Sequence, residues 1–155
     1  MRISHYLDKD CIKIPLLKEK KHEIIEELLD LIINKYDEID KEDTIQSILE
    51  REKIETTAIG QNIAIPHARM KNIQKVYFAI GITEKSVDFD SLDNKPVKLV
   101  FLILCPEKKI TTQISLLARL SRILGDKNLR KQLLRCQESQ NVIDVFTAYE
   151  NKHFS

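Results

Sequence analysis

The chain has 155 residues, 43% of them hydrophobic and 32% charged, with a formal net charge of +1. That length leaves room for one domain with a real core, the apolar share excludes a disordered chain, and the cancelled charge gives no overall electrostatic case for nucleic acid or an anionic membrane. No apolar run approaches the roughly 20 residues that cross a bilayer, and Met1–Asp8 lacks the apolar stretch of a signal peptide, so we expect a cytoplasmic single domain over residues 1–155 with no membrane insertion.

Residues 11–16 alternate like a short strand, and Pro15, which cannot donate to a ladder, places it at an edge or an end. From Lys18 to Lys35 the apolar positions Ile24, Ile25, Leu28, Leu29 and Ile32 fall at helical spacing, with Glu23, Glu26, Glu27 and Asp30 on the other face. Asp40 can cap a second helix running to about Lys53, with Ile45, Ile48 and Leu49 inward. Residues 56–70 read as a turn, a short apolar strand and an exit at Pro66. Val76–Ile82 is rich in strand formers. Val97–Leu104 is apolar throughout except Lys98, as in a central strand covered on both faces. Residues 110–124 form an apolar-faced helix that Gly125 stops. Asp126 can cap a short helix to about Gln137, and Ser139 a last one carrying Val142, Ile143, Val145 and Phe146. Strands and helices mixed in this order predict an α/β fold, a single mixed sheet flanked by helices in an α/β sandwich.

Most polar residues have an ordinary explanation. Cys11, Cys105 and Cys136 have neither metal-knuckle nor redox-pair spacing and read as small buried hydrophobes. His5, His22 and His153 are scattered surface histidines. Asp88, Asp90 and Asp93 lack the glycine and glutamate spacing of a calcium loop and read as a solvated turn. Lys18, Lys20 and Lys21 alternate with Glu19 and Glu23 and read as a solvated helix face.

The informative stretch is Glu52–Ala68, where a histidine, His67, follows a proline at the end of the strand Ile63-Ala64-Ile65. Pro66 has a fixed φ and no donor, so it ends strand pairing and projects the next side chain at the sheet edge. Neutral imidazole attacks phosphorus well when one ring nitrogen is free and the other is held as a donor. A transferred phosphoryl group needs positioning and donors aimed at its oxygens. Arg51, Thr56, Thr57 and the amides around Gly60 are nearby donors, and an arginine fork suits phosphate. Taken alone, a single histidine in such a loop is more often a polar surface residue.

The run Glu52-(six residues)-Ile59-Gly60-Gln61-Asn62-Ile63-Ala64-Ile65-Pro66-His67-Ala68 resembles the active-histidine signature of type-2 enzyme IIA domains of the bacterial phosphotransferase system, the fructose, mannitol and nitrogen-regulatory family. Leu49-Glu50-Arg51-Glu52-Lys53 and Thr57 are similar to the family's arginine-bearing helix end and following threonine. Residues 87–101 and Leu116–Leu124 resemble two further family blocks.

The resemblance implies that His67 accepts a phosphoryl group on Nε2 from the phosphohistidine of HPr or its nitrogen-branch paralogue. His67 then passes it to a IIB domain, or holds it as a signal to a regulated protein. It implies further that Arg51 and Thr57 contact the phosphoryl oxygens, and that the step uses no cofactor and no metal. The sequence departs from the family at Gln113, where many members carry a second histidine; its amide can bind a phosphoryl oxygen but carries no charge. The resulting expectation is a phosphohistidine phosphotransfer domain without turnover of a small substrate, of nitrogen-branch regulatory type. A IIA component of fructose- or mannitol-type uptake is the alternative, and a binding module that is never phosphorylated is the third reading.

Overall fold

The computed structural model describes residues 1–154. Its centre is the strand β6, Val97–Pro106, in which every residue but Lys98 is buried. An unbroken apolar run of that length is stable as a strand only when both faces are covered. Around it the sheet is assembled from β1 (Ile12–Leu16), β2 (Ala58–Gly60), β3 (Ile63–Ala64), β4 (His67–Met70) and β5 (Tyr77–Val87). The order is β1-β5-β6-β3-β2, and β4 lies on the same side of β6 as β3. β5 pairs antiparallel with β6, β1 runs parallel to β5, β3 and β4 run parallel to β6, and β2 pairs antiparallel with β3.

Helices cover both faces, so the α/β sandwich expected from the sequence is the observed fold. The helices α1 (Lys21–Lys35) and α2 (Lys41–Ile54) pack on one face through Ile24, Ile25, Leu28, Ile32 and Ile48. The helices α3 (Ile110–Leu124), α4 (Lys127–Leu134) and α5 (Ser139–His153) pack on the other, where Phe101 and Phe146 meet edge to face at 6.1 Å. Asp40 and Asp126 cap α2 and α4 as their sequence positions predict, Asp40 accepting the Asp43 amide and Asp126 the amides of Asn128 and Leu129. Among the described residues no helix is long and apolar enough to cross a membrane.

Several boundaries differ from the sequence reading. α1 begins at Lys21 rather than Lys18, because the amides of Leu17 and Lys18 donate to the Glu27 carboxylate and hold that segment as a loop. Lys21 is not a solvated charge: its ammonium lies 2.7 Å from Glu52. β5 runs on through the polar residues 83–86, because Val87 pairs with Val97 at the start of β6. α4 ends at Leu134 rather than Gln137, where Arg135 and Cys136 turn back onto Gln132 and Leu133. The cap of α5 is Glu138, in reciprocal bonds with Asn141, while the Ser139 hydroxyl donates to the Ile12 carbonyl at 2.7 Å.

Candidate functional site

β3 and β4 are two pieces of one strand line along β6, broken at Ile65-Pro66. Pro66 has no N–H to give, yet its carbonyl accepts from the Ile103 amide at 3.0 Å, and pairing resumes with His67 opposite Ile103. The sequence predicts that Pro66 ends pairing. It interrupts it instead, because the long β6 keeps supplying partners beyond the proline. β4 pairs only with β6, so its other edge is open. There α2 and α3, which cover opposite faces of the sheet, wall an open cleft of about 680 Å³.

His67 lies on that cleft, partly buried. Its Nδ1 is 2.8 Å from the Ile65 carbonyl oxygen. A carbonyl only accepts, so Nδ1 carries the proton as donor and Nε2 keeps its lone pair. Burial of the ring pushes the His67 pKa below its ordinary value; the hydrogen bond to Ile65 opposes this, the Arg51 charge adds to it, Glu52 opposes it, and Arg69 adds to it. A neutral, oriented imidazole with one free nitrogen is the form that attacks an electrophilic phosphorus.

Three of the four residues singled out from sequence share this cleft: His67, Arg51 and Gln113. Arg51, near the end of α2, donates one N–H to the Glu55 carbonyl at 2.7 Å, which fixes the guanidinium and leaves its remaining donors available. Gln113 stands in the first turn of α3 and is only 7% exposed. Its side-chain amide has no hydrogen-bond partner among the described residues. The fourth, Thr57, is not on the cleft wall. Its hydroxyl and its amide both donate to the Glu52 carboxylate, which also pairs with Lys21. Thr56 likewise donates its hydroxyl to the Phe89 carbonyl at 2.8 Å, and Gly60 sits away in the β2–β3 turn.

The cleft also holds residues that sequence reasoning missed: Arg69, Glu50 and Glu107, with an apolar rim of Ile54, Ile110, Ile114 and Leu117. Ile54 and Ile114 are 82% and 63% exposed. The signal for Arg69 was present, since a strand carried past Pro66 puts residues 67 and 69 on one face. Elsewhere the three cysteines are buried and free, with burial pushing Cys11 and Cys105 up to about 11. Among the described residues no group of three or more His, Cys, Asp or Glu side chains could hold a metal ion. Asp93 accepts from Ser91, Lys95 and Gln61, as a turn-forming carboxylate does.

Comparison with known proteins bears on the family and the fold. The family model described as "Phosphoenolpyruvate-dependent sugar phosphotransferase system, EIIA 2" matches residues 5–149. A fructose-specific EIIA component from Haloferax volcanii is 37% identical over 125 residues, 81% of each chain. A fructose-specific EIIABC component from Bacillus subtilis is 33% identical over 150 residues, 97% of this chain; this chain spans only 24% of that longer protein. The crystal structure of the nitrogen regulatory protein IIA-Ntr from Neisseria meningitidis is similar with a TM-score of 0.87 at 27% identity, covering 93% of this chain and 98% of that one.

Proposed function

The chain belongs to the EIIA 2 family of the phosphoenolpyruvate-dependent sugar phosphotransferase system, and from that premise we propose that residues 1–155 act as one cytoplasmic phosphocarrier domain in which His67 is phosphorylated on Nε2. One observation carries the reading: Nδ1 gives its proton to the Ile65 carbonyl, so the neutral ring offers Nε2 to the cleft. The donor is the phosphohistidine of an HPr-type carrier. The His67 Nε2–P bond forms as the carrier's N–P bond breaks, and the carrier's nitrogen takes back the electron pair. Positive charge that builds on the His67 ring is held by the Ile65 carbonyl through the retained Nδ1 proton. Arg51 binds phosphoryl oxygens with a fixed fork, and Gln113 adds an amide donor. Thr57 serves at one remove, by holding Glu52 and hence the end of α2 that carries Arg51. The apolar rim of Ile54, Ile110 and Ile114 suits a protein partner pressed against the histidine, since exposed apolar patches around a reactive group mark such contacts.

The output we favour is regulatory, a domain whose binding to a target protein depends on the state of His67, as the likeness to the nitrogen regulatory protein supports. The second reading is transfer to a IIB domain in sugar uptake, which the fructose-specific relatives support, one of them named an EIIABC component. Intact-protein mass after incubation with phosphoenolpyruvate, enzyme I and an HPr-type carrier tests the shared step. An acid-labile gain of one phosphoryl group, lost in His67→Ala, supports it. No gain from sugar-branch or nitrogen-branch carriers sinks it and leaves a binding module. Onward loss of the group to an added IIB domain separates the two outputs.

A further inference from the structure

We propose that Arg69 is a second phosphoryl-binding residue of the His67 site, resting on the reading that His67 is phosphorylated. The argument begins from charge. Apart from the histidine, the charged side chains on the cleft are Arg51 and Arg69 against Glu50 and Glu107, so the fixed charges cancel. A phosphoryl group brings roughly two further negative charges beside those carboxylates. Arg51 has already committed one N–H to the Glu55 carbonyl. The Gln113 amide is neutral, and the Lys21 ammonium behind the site is held by Glu52 at 2.7 Å. Arg51 alone therefore faces three groups of negative charge.

Arg69 is placed to answer this. It lies two residues after His67 on β4, opposite Cys105 where His67 is opposite Ile103, so both side chains leave the same face of the strand. Two residues of strand span about 6.6 Å, within the length of an arginine side chain. Among the described residues Arg69 forms no hydrogen bond and no ion pair, although Glu50 and Glu107 line the same cleft. It is exposed, and it stands where the His67 cleft meets a second cleft along α2 and β4, so it has room to swing. A long, uncommitted guanidinium with donors in a fork is suited to grip the oxygens of a group arriving on Nε2. Arg51 and Arg69 then hold the phosphoryl from α2 and from β4, offsetting Glu50 and Glu107.

The test uses phosphoramidate, a small donor that needs no protein docking, beside the HPr-type carrier, on the native chain, Arg69→Ala and Arg69→Lys. Circular dichroism and the His67 ring NMR signals check that the exposed substitutions leave the fold intact. We expect Arg69→Ala to take up phosphoryl tenfold or more slowly from both donors, and Arg69→Lys to recover part of the rate. Equal rates for Arg69→Ala and native overturn the proposal. A loss seen only with the protein carrier overturns it too, making Arg69 a docking residue. In both of those results the native chain is phosphorylated and the reading of His67 stands. A native chain that accepts from neither donor removes that reading and the proposal together.

Discussion

At the scale of single residues, the state of His67 follows from two opposed influences. Burial and the Arg51 charge disfavour the imidazolium, while the Ile65 carbonyl favours it, and the balance leaves the pKa below the ordinary value of about 6.5. In the proposed transfer the neutral ring is the nucleophile, so phosphoryl uptake should hold its plateau at pH 7 and fall only as pH drops below the ordinary histidine range. Uptake rates against pH, set beside the NMR titration of the ring, check this; a midpoint above 6.5 would contradict it. The stability consequence has the same direction. Between the lowered folded value and about 6.5 the unfolded chain binds more protons, so stability rises with pH across that window, and the contribution of His67 is lost as pH falls through it. His67→Ala should flatten that part of the pH dependence of urea unfolding. Thr57 makes the contrasting case. Sequence places it among the donors near the histidine, but a hydroxyl turns to the strongest acceptor within reach, the buried Glu52 carboxylate. That choice depends on Lys21 and Glu52, thirty-one positions apart, meeting in space, and no local pattern announces it. Thr57→Val should lower stability by about 1–2 kcal/mol in urea and slow uptake less than Arg51→Ala does. A large loss of rate at unchanged stability would instead place the hydroxyl at the phosphoryl group.

At the scale of elements, what sequence shows well is what repeats. The 3.6-residue spacing of α1 and the continuous apolar run of β6 each have one arrangement that buries them, and both are where the spacing puts them. Caps are legible when the residue is a short acid, as at Asp40 and Asp126. Glu138 is not legible in this way, because a longer side chain caps only when a reciprocal partner such as Asn141 is in place. The break at Pro66 reads as an end because the proline's effect is local while the resumption of pairing belongs to β6. The β1–β5 contact carries a sharper consequence. Gly81 lies opposite Lys13, and a Cβ there would come within 2.2 Å of Leu16 Cδ1 and 2.4 Å of its Cγ. Leu16 is fully buried, so it has nowhere to retreat. Gly81→Ala should cost about 1–3 kcal/mol by overpacking, read as a lower urea midpoint with an unchanged slope. A neutral substitution would show that β1, at the edge of the sheet, lifts away freely.

At the scale of the whole molecule, the proposed phosphoryl site and the contacts that join the chain ends lie in different places. The cleft forms where helices from opposite faces of the sheet, α2 and α3, meet the open edge of β4. Its parts come from α2, β4 and α3, so sequence could name His67, Arg51 and Gln113 yet not show that Thr57 stands outside the wall and Arg69 inside it. The chain ends are joined elsewhere. The carboxylate of Glu150, fully buried on α5, accepts the amides of Ile3 at 2.7 Å and Ser4 at 2.9 Å, and Arg2 reaches Asn151. Ile3 is itself buried in the core between the sheet and α3–α5, so its amide has no water to turn to. Glu150→Ala should therefore cost about 2–4 kcal/mol, the sum of two charge-assisted bonds, and should speed hydrogen exchange at Ile3 and Ser4. Glu150→Gln, which keeps an acceptor oxygen, should cost less. None of these residues lines the His67 cleft, so the folded fraction of Glu150→Ala should accept phosphoryl at the native rate. A slowed rate at temperatures where the variant is fully folded would mean that the joined termini are coupled through α5 and the sheet to β4, and that stability and transfer are not separable in this fold.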